Sequence, residues 1–143
     1  MVDREKLREK LHFIERNLKV LEGLTSLSEE DFRTDPFKFP GATRLIQVSI
    51  EAMIDIGSHI VARERLGLPK KYREIFGLLA RAGVLSAGLL PTYENMVKFR
   101  NFAVHLYAEV TPEEVLSIIK GHLGDFRAFI RDIVQYLDRQ PSE

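Results

Sequence analysis

Residues 42–66, with the sequence ATRLIQVSIEAMIDIGSHIVARERL, decide the predicted fold class. Their apolar side chains recur every three or four residues but cover more than one face, which is typical of a helix that packs against neighbours on both sides. The remaining polar side chains form one stripe, whose members stand four residues apart: Gln47, Glu51, Asp55 and His59. The segment therefore predicts a central helix of an all-α protein.

Helical periodicity continues on both sides of this segment, and nowhere does the sequence alternate as a strand does. The other predicted helices each carry an apolar face, and they cover residues 3–22, about 70–81, about 87 to the low 100s, and 112–139. Thr111 and Pro112 predict a capped start for the last of these. Residues 35–41, which hold two prolines, predict a loop anchored by two phenylalanines. We expect an up-down bundle of four to five main helices, in one domain over residues 1–143.

Composition excludes several classes of protein. The chain has no cysteine, which rules out disulfide frameworks and cysteine nucleophiles. It has 21 basic and 21 acidic residues, unlike the strongly basic proteins that coat nucleic acids. The N-terminal residues lack the apolar run of a signal peptide, and no apolar stretch is long enough to span a bilayer. We therefore expect a cytoplasmic protein with no membrane segment.

Positive charge is concentrated in residues 63–100, where eight basic side chains accompany three acidic ones. A local basic face suits phosphate groups. Helical surfaces also carry charge excesses of this size by chance, so the pattern alone leaves both interpretations open.

Residues 100–107, RNFAVHLY, carry the side chains most suited to chemistry. An arginine guanidinium binds and neutralises a phosphate, and a histidine can take a proton from a ribose 2′-hydroxyl or give one to a leaving oxygen. In a regular helix Arg100 and His105 lie about 140° apart. They can share a site only if the helix ends between them, if long side chains bend inward, or if two chains contribute. In the alternative, purely structural interpretation, Arg100 pairs with an acid and His105 fills a polar gap.

The polar stripe of the central helix offers a second set of candidates. Asp55 and His59 stand four residues apart, where they could form a hydrogen-bonded pair or hold a metal ion. Since no third ligand is evident, we predict no metal site and favour a buried polar pair. We expect Glu51 or Asp55 to hold Arg100 or His105 in place.

The pattern of Arg-Asn, three residues, His, one residue and Tyr is similar to the signature of HEPN domains, and of their HepT-like branch in particular. Residues 51–60 resemble the central helix of that branch, and residues 71–76 with 83–85 resemble the hairpin that follows it. Residues 96–101 lead into the motif as they do in the family. The resemblance is close over about residues 42–110 and looser over the outer helices.

The resemblance implies a HEPN-like helical bundle that forms a homodimer, which could assemble further, with the motifs of two chains meeting in a shared cleft. It implies a metal-independent endoribonuclease that needs no cofactor, the toxin of a type VII-like toxin–antitoxin pair. Arg100 would then bind the phosphate of the RNA substrate, His105 would transfer protons, and Asn101 would orient the backbone or the substrate. A cognate MntA-like nucleotidyltransferase, the antitoxin, would silence the protein by adding AMP to Tyr107. An extended or turn conformation after Ala103 would bring that phenol to the rim of the cleft.

A non-catalytic HEPN module is the alternative function. Such a bundle would partner a nucleotidyltransferase or bind a nucleotide in the cleft, and Tyr107 would pack its ring beneath it. The intact Arg–His pair favours the nuclease, because packing alone does not require that pair. The balanced net charge mildly favours the binding module.

Overall fold

The computed structural model describes residues 1–141, so the last two residues of the domain predicted over 1–143 lie outside the described residues. Seven α-helices and two short 3₁₀ turns make up the described part, which holds no strand. The helices are α1 (Arg4–Glu22), α2 (Glu29–Thr34), α3 (Lys38–Arg63), α4 (Tyr72–Arg81), α5 (Leu90–His105), α6 (Pro112–Gly121) and α7 (Leu123–Arg139). The 3₁₀ turns, Ala87–Leu89 and Tyr107–Glu109, lie on either side of α5. The all-α fold class is confirmed.

Helix α3 lies at the centre of the fold, as its sequence predicts. It contacts α1, α2, α4, α5 and α6, and its apolar side chains are buried on more than one face. The expectation that no apolar stretch is long enough to span a bilayer is wrong for α3, which by length and composition could cross a membrane and is the one such helix among the described residues. Since 61% of its most apolar window is buried inside the fold, α3 is accounted for as the core helix of the bundle.

The loop predicted around the two prolines is shorter than expected, because α3 already begins three residues after Asp35. The Asp35 carboxylate accepts a hydrogen bond from the backbone N–H of Phe37 at 2.8 Å and so orders the entry to the helix. Pro40 lies in the first turn, where a missing N–H costs little. Phe39 packs edge-on against Phe32 at 5.9 Å between ring centroids, whereas Phe37 is 81% exposed and anchors nothing.

The helix predicted over residues 112–139 is in fact two helices, α6 and α7. It begins as predicted, because the Thr111 hydroxyl accepts a hydrogen bond from the backbone N–H of Glu114 at 3.2 Å. At His122 the backbone departs from helical geometry, with φ −129° and ψ 6°, and α6 ends. Apolar residues keep their spacing of three and four across the break, so periodicity alone could not reveal it.

Helices α3 and α4 approach closely at Gly57. A Cβ atom added there would lie 2.7 Å from Cγ2 of Ile75, inside van der Waals contact. Gly57, Ile75 and their neighbour Leu79 are all buried, so this contact sets the distance of α4 from α3. The first residue of α4, Tyr72, is thereby held beside the polar stripe of α3.

An aromatic cluster holds the first half of α5 in the core. The ring of Tyr93 stacks on Phe76 of α4 at 5.5 Å and meets Phe129 of α7 edge-on at 5.9 Å. Tyr93 and both of its partners are fully buried. The second half of α5 is more exposed, and it carries the first six residues of the RNFAVHLY motif along the surface.

Candidate active site

A groove of about 750 Å³ lies between the start of α4 and the end of α5. From α5 it is lined by Arg100, Asn101 and His105, three of the residues that the motif singles out. The facing wall is the segment 70–73, which comprises Lys70, Lys71, Tyr72 and Arg73 and which we call the α4 wall. No acidic residue of the described chain lines this groove. Part of the excess of basic residues in the segment 63–100 therefore lies in this groove.

Arg100 and His105 line the same groove of one chain although the helix does not end between them. Helix α5 continues to His105 and ends where Leu106 turns to φ −132° and ψ 46°. The expected loosening after Ala103 therefore comes two residues later. Both side chains therefore reach one groove within a single chain, and the dimer stays a prediction.

The Arg100 guanidinium is fixed by three neighbours. Its Nε–H donates to Oε2 of Glu51 at 3.0 Å, and its Nη1 donates to Oδ1 of Asn101 at 3.2 Å. Its central carbon lies 5.3 Å from the centroid of the Tyr72 ring, a cation–π distance. Of the five N–H groups of an arginine, three then have no protein partner within residues 1–141. These donors are available for a phosphate.

Glu51 is the acid that pairs with Arg100. Its side chain is 31% exposed and that of Arg100 is 18% exposed, so the pair is partly shielded from water. Gln47, one turn earlier on α3, donates to the same Glu51 oxygen at 3.2 Å. Arg100 therefore pairs with an acid, as the structural interpretation predicts. It also keeps N–H donors for a phosphate, as the functional interpretation requires.

The predicted pair of Asp55 and His59 is wrong. The Asp55 carboxylate is exposed and lies 3.4 Å from Nζ of Lys10 on α1. His59 instead accepts a hydrogen bond at Nε2 from the backbone N–H of Asp3 at 2.9 Å. Neither side chain hydrogen-bonds the motif, so Glu51 is the member of the stripe that reaches it. No group of three or more potential metal ligands occurs in the described part of the chain.

The environment of His59 disfavours a charge on its ring. Burial lowers the pKa of His59, and the positive charges of Arg63 and Lys6 lower it further, while Asp3 opposes them. The ring is therefore suited to accepting a hydrogen bond from the N-terminal segment in its neutral form. Its role is to fasten α1 to α3, away from the groove.

Tyr107 lies on the 3₁₀ turn that follows α5, and its side chain is 50% exposed. Its hydroxyl makes no hydrogen bond with any described residue. Tyr107 is therefore accessible in the single chain and does not pack beneath a cleft. Phe102, Val104 and Leu106 are also partly exposed around it, so the end of the motif carries an apolar surface.

Tyr72 belongs to the site, although sequence reasoning assigned it no role. It is 28 positions from Arg100, and no local pattern connects the two residues. The packing of α4 on α3 brings them together. Two signals could have drawn attention to it: its place in the segment 71–76 that resembles the family, and its position between two lysines and an arginine.

The comparisons with known proteins show which family the chain belongs to. A family model described as Ribonuclease HepT-like matches residues 14–133, a range that includes both walls of the groove. The chain belongs to the HepT-like ribonuclease family. It is 38% identical over 90 residues to the mRNA nuclease HepT of Shewanella oneidensis, an alignment that spans 63% of this chain and 67% of that relative.

A second nuclease relative and a solved structure extend the match to most of the chain. The tRNA nuclease HepT of Aphanizomenon flos-aquae is 27% identical over 128 residues, covering 90% of this chain and 87% of the relative. The solved structure of a tri-AMPylated HEPN toxin of Shewanella oneidensis in complex with MNT antitoxin superposes with a TM-score of 0.83 at 31% identity. That alignment covers 94% of this chain and 99% of that one. The family resemblance drawn from the motif is confirmed.

Proposed function

We propose that this protein is a metal-independent endoribonuclease, the toxin of a type VII-like toxin–antitoxin pair, and that it cuts RNA in the groove between α4 and α5. The observation that carries the proposal is the groove itself, where Arg100 and His105 stand together opposite a basic wall. Relatives named as mRNA and tRNA nucleases support RNA as the substrate. We place the activity in a single domain of a cytoplasmic protein.

The chemistry follows from the two side chains. A ribose 2′-hydroxyl attacks the adjacent phosphorus, a P–O bond forms to the 2′-oxygen, and the bond to the 5′-oxygen breaks. His105 takes the proton from the 2′-hydroxyl as it attacks and can return it to the leaving oxygen. Arg100 donates to the non-bridging oxygens and offsets the negative charge that builds on them. The guanidinium supplies the positive charge that a metal ion supplies in other nucleases.

Glu51 and Asn101 act as positioning residues in this scheme. Each holds one edge of the Arg100 guanidinium, so that the remaining donors point in a fixed direction. A fixed donor needs no reorganisation when charge develops on the phosphate. Asp55 and His59, whose contacts lie with α1 and the N-terminal segment, have no part in the proposed chemistry.

We further propose that a cognate MntA-like nucleotidyltransferase silences the protein by transferring AMP to Tyr107. The phenolic oxygen of Tyr107 would attack the α-phosphorus of ATP, lose its proton and release pyrophosphate. The solved relative is AMPylated and bound to its antitoxin, which supports the same control here. Each AMP would bring a negative phosphate beside His105, where it would compete with RNA for Arg100 and the α4 wall.

The exposed apolar residues around the motif support the proposed homodimer. Phe102, Val104 and Leu106 are 38% to 47% exposed in the single chain, and a second copy could cover them while Tyr107 stays at the rim. The motifs of two chains would then face each other across the interface. Light scattering after gel filtration, at micromolar concentration, would give the mass of a dimer or of a larger assembly; a monomer would contradict the proposal.

The function is tested by expression in a bacterium with and without the neighbouring gene. The wild type should be toxic alone, and His105→Ala should be harmless because loss of general acid–base help costs about 10²–10⁴-fold in rate. His12→Ala changes an exposed histidine that does not line the groove, so it is the matched control and should stay toxic. The purified wild type should cleave RNA in EDTA. Full activity of His105→Ala, or loss of cleavage in EDTA, would overturn the mechanism.

A further inference from the structure

Tyr72 presents an aromatic surface inside an otherwise basic groove. It stands at the start of α4, and its side chain is 48% exposed, while the residues that continue its face along the helix, Ile75, Phe76 and Leu79, are buried in the core. The packing of α4 therefore does not depend on the exposed part of the Tyr72 ring. The centroid of that ring lies 5.3 Å from the central guanidinium carbon of Arg100, and Tyr72 lines the groove.

Basic side chains flank this ring in the chain and in space. Lys70, Lys71 and Arg73 line the groove together with it. The adjacent acid, Glu74, offsets only one of these three positive charges and does not line the groove; its carboxylate accepts a hydrogen bond from the backbone N–H of Lys70 at 2.9 Å. That hydrogen bond lowers the pKa of Glu74 and fixes the carboxylate on the backbone of the α4 wall. The wall therefore combines three cations with one exposed ring.

We propose that Tyr72 is a base-stacking residue for single-stranded RNA, and that Lys70, Lys71 and Arg73 contact the phosphates on either side of the stacked nucleotide. This inference rests on the proposed function and names the part of the groove that holds the substrate. Proteins that bind unpaired RNA combine a positive groove that follows the backbone with aromatic rings that stack the bases. Both elements are present here within four consecutive residues.

The contact between Tyr72 and Arg100 fixes where the stacked base lies relative to the cut. Arg100 binds the phosphate that is cleaved, and its guanidinium lies 5.3 Å from the Tyr72 ring centroid. A base on the exposed part of that ring therefore belongs to a nucleotide next to the scissile phosphate. Such a base must leave the stack of its neighbours, which is easy in a single strand and costly in a duplex.

The first experiment measures RNA binding in the His105→Ala background, by fluorescence anisotropy with a short labelled single-stranded RNA of mixed sequence. Tyr72→Ala should bind roughly 5- to 140-fold more weakly, the cost of one stacked base. Tyr72→Phe keeps the ring and should bind as the parent does. Phe37→Ala removes an exposed aromatic ring elsewhere and should have no effect. Unchanged affinity of Tyr72→Ala, in protein shown to be folded by circular dichroism, would overturn the proposal.

A second experiment separates base stacking from an effect through Arg100. A series of RNAs carries one abasic position each, moved along the strand. Where the missing base is the stacked one, Tyr72→Ala should cost no further affinity, because nothing is left to stack. If Tyr72→Ala weakens binding equally for every abasic RNA and for the intact strand, Tyr72 acts only by positioning Arg100 and the stacking role is wrong.

Salt dependence separates the ring from the cations of the wall. Each lost phosphate contact should reduce the slope of log affinity against log salt by about 0.7 for a single strand. The double variant with Lys70→Ala and Lys71→Ala should therefore show a smaller slope of log affinity against log salt. Tyr72→Ala should leave that slope unchanged. The control is a double variant of two basic residues of α1, Arg16→Ala and Lys19→Ala, which should leave the slope unchanged. An unchanged slope in the double lysine variant would show that Lys70 and Lys71 do not contact phosphates.

Loss of the stacking role and loss of the nuclease function give different experimental results. If the wild type cleaves RNA and His105→Ala binds it, but Tyr72→Ala binds equally well, only the stacking role falls. If the wild type fails to cleave RNA and His105→Ala fails to bind it, the proposed function falls and the stacking role falls with it.

Discussion

Replacing Glu51 with alanine would test whether the acid of the central helix positions Arg100 for catalysis. The substitution removes the acceptor that lies 3.0 Å from Nε of Arg100. A hydrogen bond to a charged group contributes about 1.5–3 kcal/mol, but exposed ion pairs contribute at most about 1. Because Arg100 keeps its contacts with Asn101 and Tyr72 and the pair is partly open to water, we expect a loss of about 1 kcal/mol in the free energy of unfolding.

The effect on catalysis should exceed the effect on stability. A displacement of the guanidinium by about 1 Å can cost up to about 100-fold in rate. We therefore expect Glu51→Ala to slow single-turnover RNA cleavage by about 10- to 100-fold, which corresponds to about 1.4–2.7 kcal/mol of activation free energy. Glu51→Gln keeps an oxygen acceptor at the same place and should recover part of the rate. Glu94→Ala removes an exposed carboxylate from α5 and is the matched control.

Two results would refute this reasoning. If Glu51→Ala cleaves RNA at the wild-type rate, the contact with Arg100 is structural only. If Glu51→Ala is faster than the wild type, Glu51 competes with the phosphate for Arg100 instead of positioning it. An equal loss in Glu51→Gln and Glu51→Ala would show that the negative charge matters and the acceptor geometry does not.

Three further predictions concern packing, control and pH. Gly57→Ala forces a methyl group against Ile75 at 2.7 Å, so overpacking of about 1–3 kcal/mol should outweigh a gain in helix propensity of up to about 1 kcal/mol. Gly41→Ala, on the same helix with open space around it, should be neutral or stabilising in urea unfolding; equal stabilities of the two variants would contradict the close approach of α3 and α4. Tyr107→Phe should stay toxic when the neighbouring nucleotidyltransferase is co-expressed, and intact-mass spectrometry should detect AMP on the wild type alone; full protection of the variant would mean that the antitoxin acts by binding. Because burial lowers the pKa of His59 below 6.5, its contribution to stability is present above about pH 6.5 and is lost as the pH falls through the lowered value. Melting temperatures between about pH 5 and 8 should therefore fall more steeply on the acid side for the parent than for His59→Gln, and parallel profiles would show that His59 is not responsible.

Local patterns in the sequence were sufficient to predict the fold class and the motif. The double-faced periodicity of residues 42–66 predicted the central helix because a helix with neighbours on both sides must bury more than one face. Thr111 predicted its cap because the chemistry of an N-cap involves residues only three positions apart. Arg100 and His105 could be chosen because arginine and histidine suit phosphate chemistry wherever they lie in a fold.

Only the tertiary structure decided how these residues meet. Glu51 pairs with Arg100 across 49 positions, and the predicted pair of Asp55 with His59 fails because α1 and the N-terminal segment supply closer partners, Lys10 and the Asp3 backbone. Spacing along a helix shows which side chains can meet within that helix, but not which other helix competes for them. The place of Tyr72 beside Arg100 likewise depends on how closely α4 packs on α3. That distance depends on the contact of Ile75 with the backbone at Gly57, two residues that are far apart in the sequence, so no local pattern could predict it.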